Sequence, residues 1–322
     1  MAHRFSFDNA VLHFARSDGP RGFVWKYLLA YLMGAICLTA LGYTLFQPLF
    51  SIWFDILIEA MSGTSEAEIE AILARRTVEI VGWIVFGTLL MLGLGVLFWA
   101  VFEASVQRRL VRDEGFRIKV GADEMRLILV GLIWLGISIA AQILSLLFVS
   151  ASTASIVYAL DNPAGGAIAV FASMFLVAGF WIWLTVRLSP ASAMTIRDRK
   201  FVFFDAWNVT KGRFWTLFLS YLVLNITISV LWFIAYAGIG SGIAAAFMAN
   251  VTRFETAIES GNPLAVVSAF LQIDILAPII GGWMFWVVLQ GLFFLMWAGP
   301  ASLAAKTDPR GGGTAQAPDV FA

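Results

Sequence analysis

Residues 168–200 read IAVFASMFLVAGFWIWLTVRLSPASAMTIRDRK, and the change of composition inside them decides the fold. Ile168–Val186 carries no charged side chain and no strict alternation of polar and apolar residues. Arg187 then opens a polar stretch that holds Arg197, Arg199 and Lys200. A continuous apolar run close to the ~20 residues needed to cross a hydrocarbon core predicts a membrane-spanning helix. A barrel strand would alternate, and in lipid a helix satisfies its own backbone polar groups.

Five more runs of this kind flank it. The predicted spans are Phe23–Phe46, Ile80–Phe102, Leu127–Phe148, Ile168–Val186, Phe214–Tyr236 and Ile275–Trp297. Lys26 is their only charged residue. It sits about one turn from its helix end and can snorkel to the headgroups. Composition agrees: the 322 residues are 60% hydrophobic and only 13% charged, with mean hydropathy +0.86, whereas a soluble domain is about a quarter charged. The formal net charge of +0 argues against a nucleic-acid partner, which calls for a strong basic surplus. The single cysteine, Cys37, cannot form an internal disulfide. The first run is too long, and its flank lacks a small-residue cleavage site, so it reads as an uncleaved span rather than a signal peptide.

Basic residues orient the spans. Of the 21 Lys and Arg, all but Arg75, Arg76 and Arg253 fall on the N-terminal segment, the second and fourth connections and the tail. Lys and Arg hold loops on the cytoplasmic side. The prediction is therefore a multi-pass protein of the bacterial inner membrane with both termini cytoplasmic.

A repeat lies under this topology. The second, fourth and sixth spans end in Glu103-Ala104-Ser105, Pro190-Ala191-Ser192 and Pro300-Ala301-Ser302. The interval from Glu103 to Pro190 equals that from Arg126 to Arg213, which begin the third and fifth spans. Arg21-Gly22 with Trp25 resembles Lys211-Gly212 with Trp215. The expected fold class is an all-α membrane protein: six transmembrane helices as three repeated helical hairpins with short cytoplasmic interfacial helices. A single domain is expected over 1–304, with repeats at roughly 1–102, 103–188 and 189–304, and a flexible cytoplasmic tail over 305–322. Interfacial segments are expected at Phe5–Phe14, Gly115–Val120 and Phe203–Val209, with rings at headgroup level. Asp123 is the expected N-cap of the third span.

On the other side, Ser65 and Glu68 form a capping box before a surface helix. Asp161-Asn162-Pro163 and Gly261-Asn262-Pro263 read as turns. Gly238, Gly240 and Gly242 are expected to loosen the chain before a second surface helix near Leu264–Leu271. Gly311-Gly312-Gly313 marks a disordered end.

The stretch Arg187-Leu188-Ser189-Pro190-Ala191-Ser192, followed by Trp207-Asn208-Val209-Thr210-Lys211-Gly212-Arg213-Phe214-Trp215, resembles a signature of a bacterial integral-membrane domain. That domain occurs alone or attached to glycerophosphodiester phosphodiesterases. The likeness covers about 187–216 and is fainter at 103–130. It implies a membrane module of six or more helices. The phosphodiesterase barrel, with its acids, bases and metal ligands, is absent, so the resemblance lends no catalytic residue.

No constellation for catalysis stands out. His3 and His13, without Cys or paired carboxylates, make a poor metal site, and Cys37 lies far from both. Gly238-Ile239-Gly240-Ser241-Gly242 lacks the Lys-Ser/Thr of a phosphate loop. Asn208-Val209-Thr210 matches a glycosylation acceptor but is predicted cytoplasmic. Asp55, Glu59, Glu66, Glu68 and Glu70 read as a solvated helix face, and Asp274 as a cap on the last helix. Within the membrane, Gln142, Asn225 and Gln290 are expected to form an interhelical clasp or, failing that, a weak polar site. The apolar runs hold no carboxylate, which argues against a proton- or sodium-driven pump.

The expected function is a non-enzymatic inner-membrane scaffold or accessory subunit, with no cofactor and no metal. Its basic cytoplasmic rim would engage anionic membrane lipid or a protein partner through Arg108, Arg109, Arg112, Arg117, Lys119, Arg197, Arg199, Lys200, Lys211 and Arg213. The alternative is a transporter or lipid-handling channel for an apolar or amphipathic molecule.

Overall fold

Every predicted span is a helix in the computed structural model, which describes residues 5–61, 65–160 and 163–309. The helices are α1 (Phe7–Arg16), α2 (Phe23–Met61), α3 (Glu66–Arg112), α4 (Ala122–Leu160), α5 (Pro163–Leu188), α6 (Ala191–Asp198), α7 (Ala206–Val209), α8 (Phe214–Ala249), α9 (Val251–Glu259), α10 (Pro263–Phe270) and α11 (Ile273–Lys306). Among the described residues there is no strand. Six helices, α2, α3, α4, α5, α8 and α11, are long and apolar enough to cross a membrane. Residues 161 and 162 of one expected turn, and the Gly311–Gly313 stretch, lie outside the described residues.

The helices run well past the predicted spans. The surface helix expected after Ser65 is continuous with the second span: α3 has 47 residues, about 70 Å at 1.5 Å per residue. Half of the expected capping box forms: Ser65 N–H donates to Glu68 Oε2 at 3.3 Å, while Ser65 Oγ donates to the same oxygen at 3.0 Å and Glu68 N–H goes to the Ser65 carbonyl. The glycines at 238, 240 and 242 do not loosen the chain; α8 continues through them to Ala249. α2 likewise continues through Pro48, while the Ser51 hydroxyl donates to the Pro48 carbonyl at 2.8 Å. The second surface helix forms as α10, where the Asn262 side chain accepts from Leu264 N–H at 3.0 Å.

The chain divides into two compact units. One comprises Met1–Phe23, Ala100–Asn225 and Leu295–Ala322; the other, Val24–Trp99 and Ile226–Phe294. The first holds the α4–α5 hairpin, with α6 packed on α4 and α7 on α5. Its core is small and aliphatic around Ala104, Leu110, Leu127, Ile196, Leu217 and Leu303. α1 lies against α11 at Gly299, where an added Cβ would stand 3.4 Å from the Ala10 carbonyl and the Phe14 N–H.

The second unit is aromatic. Trp232 packs on Tyr236, Trp286 and Phe293, and Phe247, Phe254 and Phe270 form a cluster. Asp274 lies in the first turn of α11, as a cap requires, and also pairs with Arg253 at 3.3 Å.

Candidate functional site: the cationic end

The helix ends of the first unit carry most of the basic residues, and half of the predicted rim turns inward. Arg108 is the clearest case. Its side chain is 5% exposed and Nη1 donates to Glu124 Oε1 at 2.6 Å, with Glu124 itself 2% exposed. Nη2 donates to the Arg117 carbonyl at 3.3 Å. A charge buried at this depth needs both a counter-charge and hydrogen bonds. Asp123 is not the N-cap: Gly121 precedes α4, and Glu124, the third residue of the helix, accepts from Gly121 N–H through Oε2 at 2.9 Å. Asp123 is held instead by Arg112 at 2.9 Å and Arg126 at 3.0 Å.

Three helix ends are linked in a closed circuit. At the end of α3, Arg112 donates to the Ile196 carbonyl of α6. At the end of α6, Arg197 donates to the Ala305 carbonyl of α11. At the end of α11, Lys306 Nζ pairs with Asp113, just past α3, at 2.7 and 2.9 Å. The last carbonyls of a helix have no partner within it and carry partial negative charge, so a cation there satisfies both needs. Arg213 adds to the closure, donating to the Ala304 carbonyl and Thr307 Oγ1, each at 3.1 Å, while it lies over the Phe5 ring. Arg109 donates to the Ser17 carbonyl at 3.1 Å and lies over Phe23.

The other half of the rim faces outward. Arg117, Lys119, Arg199, Lys200 and Lys211 are exposed, and among the described residues no acid pairs with them. Loop geometry keeps them there. Arg199 takes a left-handed conformation (φ 52°) that ends α6. Thr195 Oγ1 then ties the returning chain by donating to the Val202 carbonyl at 2.9 Å and accepting its N–H at 3.2 Å. The exposed rings Phe204 and Trp215 lie close in sequence. The segment at 203–209 is only partly interfacial, because Phe203 and Val209 are buried.

Several residues have roles that the sequence did not disclose. His13 is 2% exposed, with Nε2 3.1 Å from the Leu110 carbonyl, so it ties α1 to α3. His3 lies outside the described residues. Glu103, one residue beyond the predicted end of its apolar run, is buried within α3. Gln107 Nε2 donates to it at 2.8 Å, and Gln107 Oε1 accepts from Ser302 Oγ at 2.8 Å. Glu103 is thus a buried carboxylate at the edge of an apolar run, though the runs themselves hold none. Gln142, Asn225 and Gln290 are all exposed, and no hydrogen bond joins Gln142 to Asn225 within the first unit.

Among the described residues, no group of His, Cys, Asp and Glu could hold a metal ion. The second unit contains a groove of about 600 Å³ between α8 and α11, lined by Leu231, Ile234, Gly238, Gly282, Phe285 and Leu289 among others. Comparison of the chain with protein-family models, with curated proteins and with solved structures finds no match.

Proposed function

We propose that the chain is a non-enzymatic membrane scaffold or accessory subunit of the bacterial inner membrane, with this cationic end toward the cytoplasm and engaged with anionic lipid. One observation carries the reading. Arg117, Lys119, Arg199, Lys200 and Lys211 are exposed and lack acidic partners among the described residues, although the chain has as many acids as bases. Each such cation near an anionic surface contributes ~1 kcal/mol, so the five act together. Exposed Phe204 and Trp215 suit the headgroup layer, where a ring can be half in lipid and half in water. The likeness of residues 187–216 to a bacterial membrane module fits the same reading.

The experiment is native mass spectrometry of the full chain with phosphatidylglycerol and phosphatidylcholine, comparing wild type with a variant in which the five residues are Gln. The wild type is expected to retain more phosphatidylglycerol, and the variant to lose that preference. Equal retention of the two lipids by both proteins sinks the lipid reading.

A second reading, a carrier for an apolar or amphipathic molecule, draws on the groove between α8 and α11, whose walls are almost wholly apolar. Transport of a fluorescent lipid by reconstituted protein, abolished when the groove is filled by Gly282→Leu, would favour it over the scaffold.

A further inference from the structure

One cation at this end hydrogen-bonds no oxygen among the described residues. Arg187, in the last turn of α5, is part-buried, and its Nε and Nη1 are out of reach of solvent with no hydrogen-bond partner. Its guanidinium carbon lies 5.4 Å from the Trp207 ring centroid and 5.4 Å from that of Phe214. No acid pairs with it among the described residues. The pocket is built, not accidental. Thr210 Oγ1 donates to the Arg187 carbonyl at 3.2 Å and to the Trp207 carbonyl at 3.0 Å, which fixes α7 against the end of α5. Trp183 supports the Trp207 ring edge-on at 4.9 Å. Gly212 then reverses the chain at φ 76°, a conformation that a side chain would strain, and brings Phe214 over the cation.

Arg109 makes the contrast. It too lies over the first ring of a long helix, Phe23, after a glycine at positive φ, Gly22. There the chain fills the space: Nη2 donates to the Ser17 carbonyl, and a Cβ on Gly19 would collide with the guanidinium. Arg187 receives rings and nothing more. Rings stabilise a cation by roughly 0.5–2 kcal/mol, less than the cost of burying two guanidinium nitrogens with no anion beside them; Nη2, which is not among the sealed atoms, is the donor that a ligand can reach. A guanidinium N–H suits phosphate and carboxylate oxygens alike, and at a membrane surface phosphate is the abundant anion.

We infer that Arg187, between Trp207 and Phe214, binds a single phosphate group at the membrane surface. The inference rests on the proposed function for its setting, since it supplies one specific site within the more diffuse cationic surface. The exposed Lys211, in the turn between the two rings, adds positive charge beside the site.

The test uses the full chain, purified in detergent, stripped of lipid and followed by native mass spectrometry. The probes are phosphatidylglycerol, a diacylglycerol with the same chains, and inorganic phosphate. One phosphatidylglycerol is expected to bind well ahead of diacylglycerol. Arg187→Gln should weaken that step roughly tenfold or more, the loss of charge-assisted hydrogen bonds, and Arg187→Lys should weaken it less. Competition by inorganic phosphate identifies free phosphate as the ligand; lack of competition identifies the headgroup. The five-residue Gln variant should keep the first lipid and lose the later, weaker ones. If that variant matches wild type at every step while Arg187→Gln loses the first, the broader reading fails and this site stands. A wild type that binds phosphatidylglycerol no better than diacylglycerol and shows no phosphate binding overturns the inference without any variant. So does Arg187→Gln with unchanged melting and unchanged affinity for the first lipid.

Discussion

Arg108 and Glu124 show how far a residue's role departs from its charge. Both are nearly sealed from solvent and 2.6 Å apart, so removing one leaves the other charged and unpaired in a poorly solvated place. Arg108→Ala is expected to lower stability by ~3–5 kcal/mol, read as a fall in the thermal midpoint of the detergent-solubilised protein. Replacing both with Leu should restore much of the loss, because the penalty comes from the orphaned partner. A double variant as unstable as the single one would contradict this. His13 is a milder case. Its bond to the Leu110 carbonyl crosses from α1 to α3, and His13→Ala should cost about 1 kcal/mol, seen as faster amide exchange in α1. Sequence reading placed these cations at the correct end of their helices but could not tell an inward arginine from an outward one. Arg108 and Arg117 look alike as topology signals; which one meets an acid depends on where α4 starts, and that follows from packing.

At the scale of elements, the helices were legible and their lengths were not. Apolar composition marks what lies in lipid, so the polar first turns of α3 and the far part of α8 fell outside the predicted spans, although each continues the same helix. The hydrogen-bond ladder does not stop where the solvent changes. α1 offers a test of docking. Gly299 leaves room for its backbone, with only 3.4 Å to the position of an added Cβ. Gly299→Leu should push α1 off α11, and limited proteolysis should then cut between Arg16 and Gly22 while α4 and α5 stay intact. An unchanged digestion pattern would show that α1 is held elsewhere. The link between Lys306 and Asp113 can be tested by exchanging charges: Lys306→Asp and Asp113→Lys should each loosen the end of α11, and the two together should recover most of the loss.

For the whole molecule, helix length sets a boundary. A hydrocarbon core of ~30 Å holds only about half of a helix as long as α3, even when tilted. With Cys37 replaced by Ser, single cysteines introduced at Ala71 or Leu73 should react with a water-soluble maleimide. One at Leu90 should not. Equal reactivity at all three would mean that the span is placed wrongly. The acids of the first connection, read as a solvated face, are consistent with this picture, since Glu68 and Glu70 are exposed. The proposed direction of the chain across the membrane is open to reporter fusions at Arg199 and near Asp161, which should report opposite sides.

The circuit of helix ends has a consequence in time. Ribosomes deliver α3 and α6 before α11, so Arg197 and Arg213 must wait for carbonyls not yet synthesised, and Asp113 for an ammonium not yet made. Until the final hairpin arrives, Arg213 and Asp113 lack the partners that α11 supplies, while Arg197 has only Asp198 beside it. A chain stalled before Leu303 would keep these charges on display, giving a membrane protease a chemical mark by which to tell an interrupted product from a completed one.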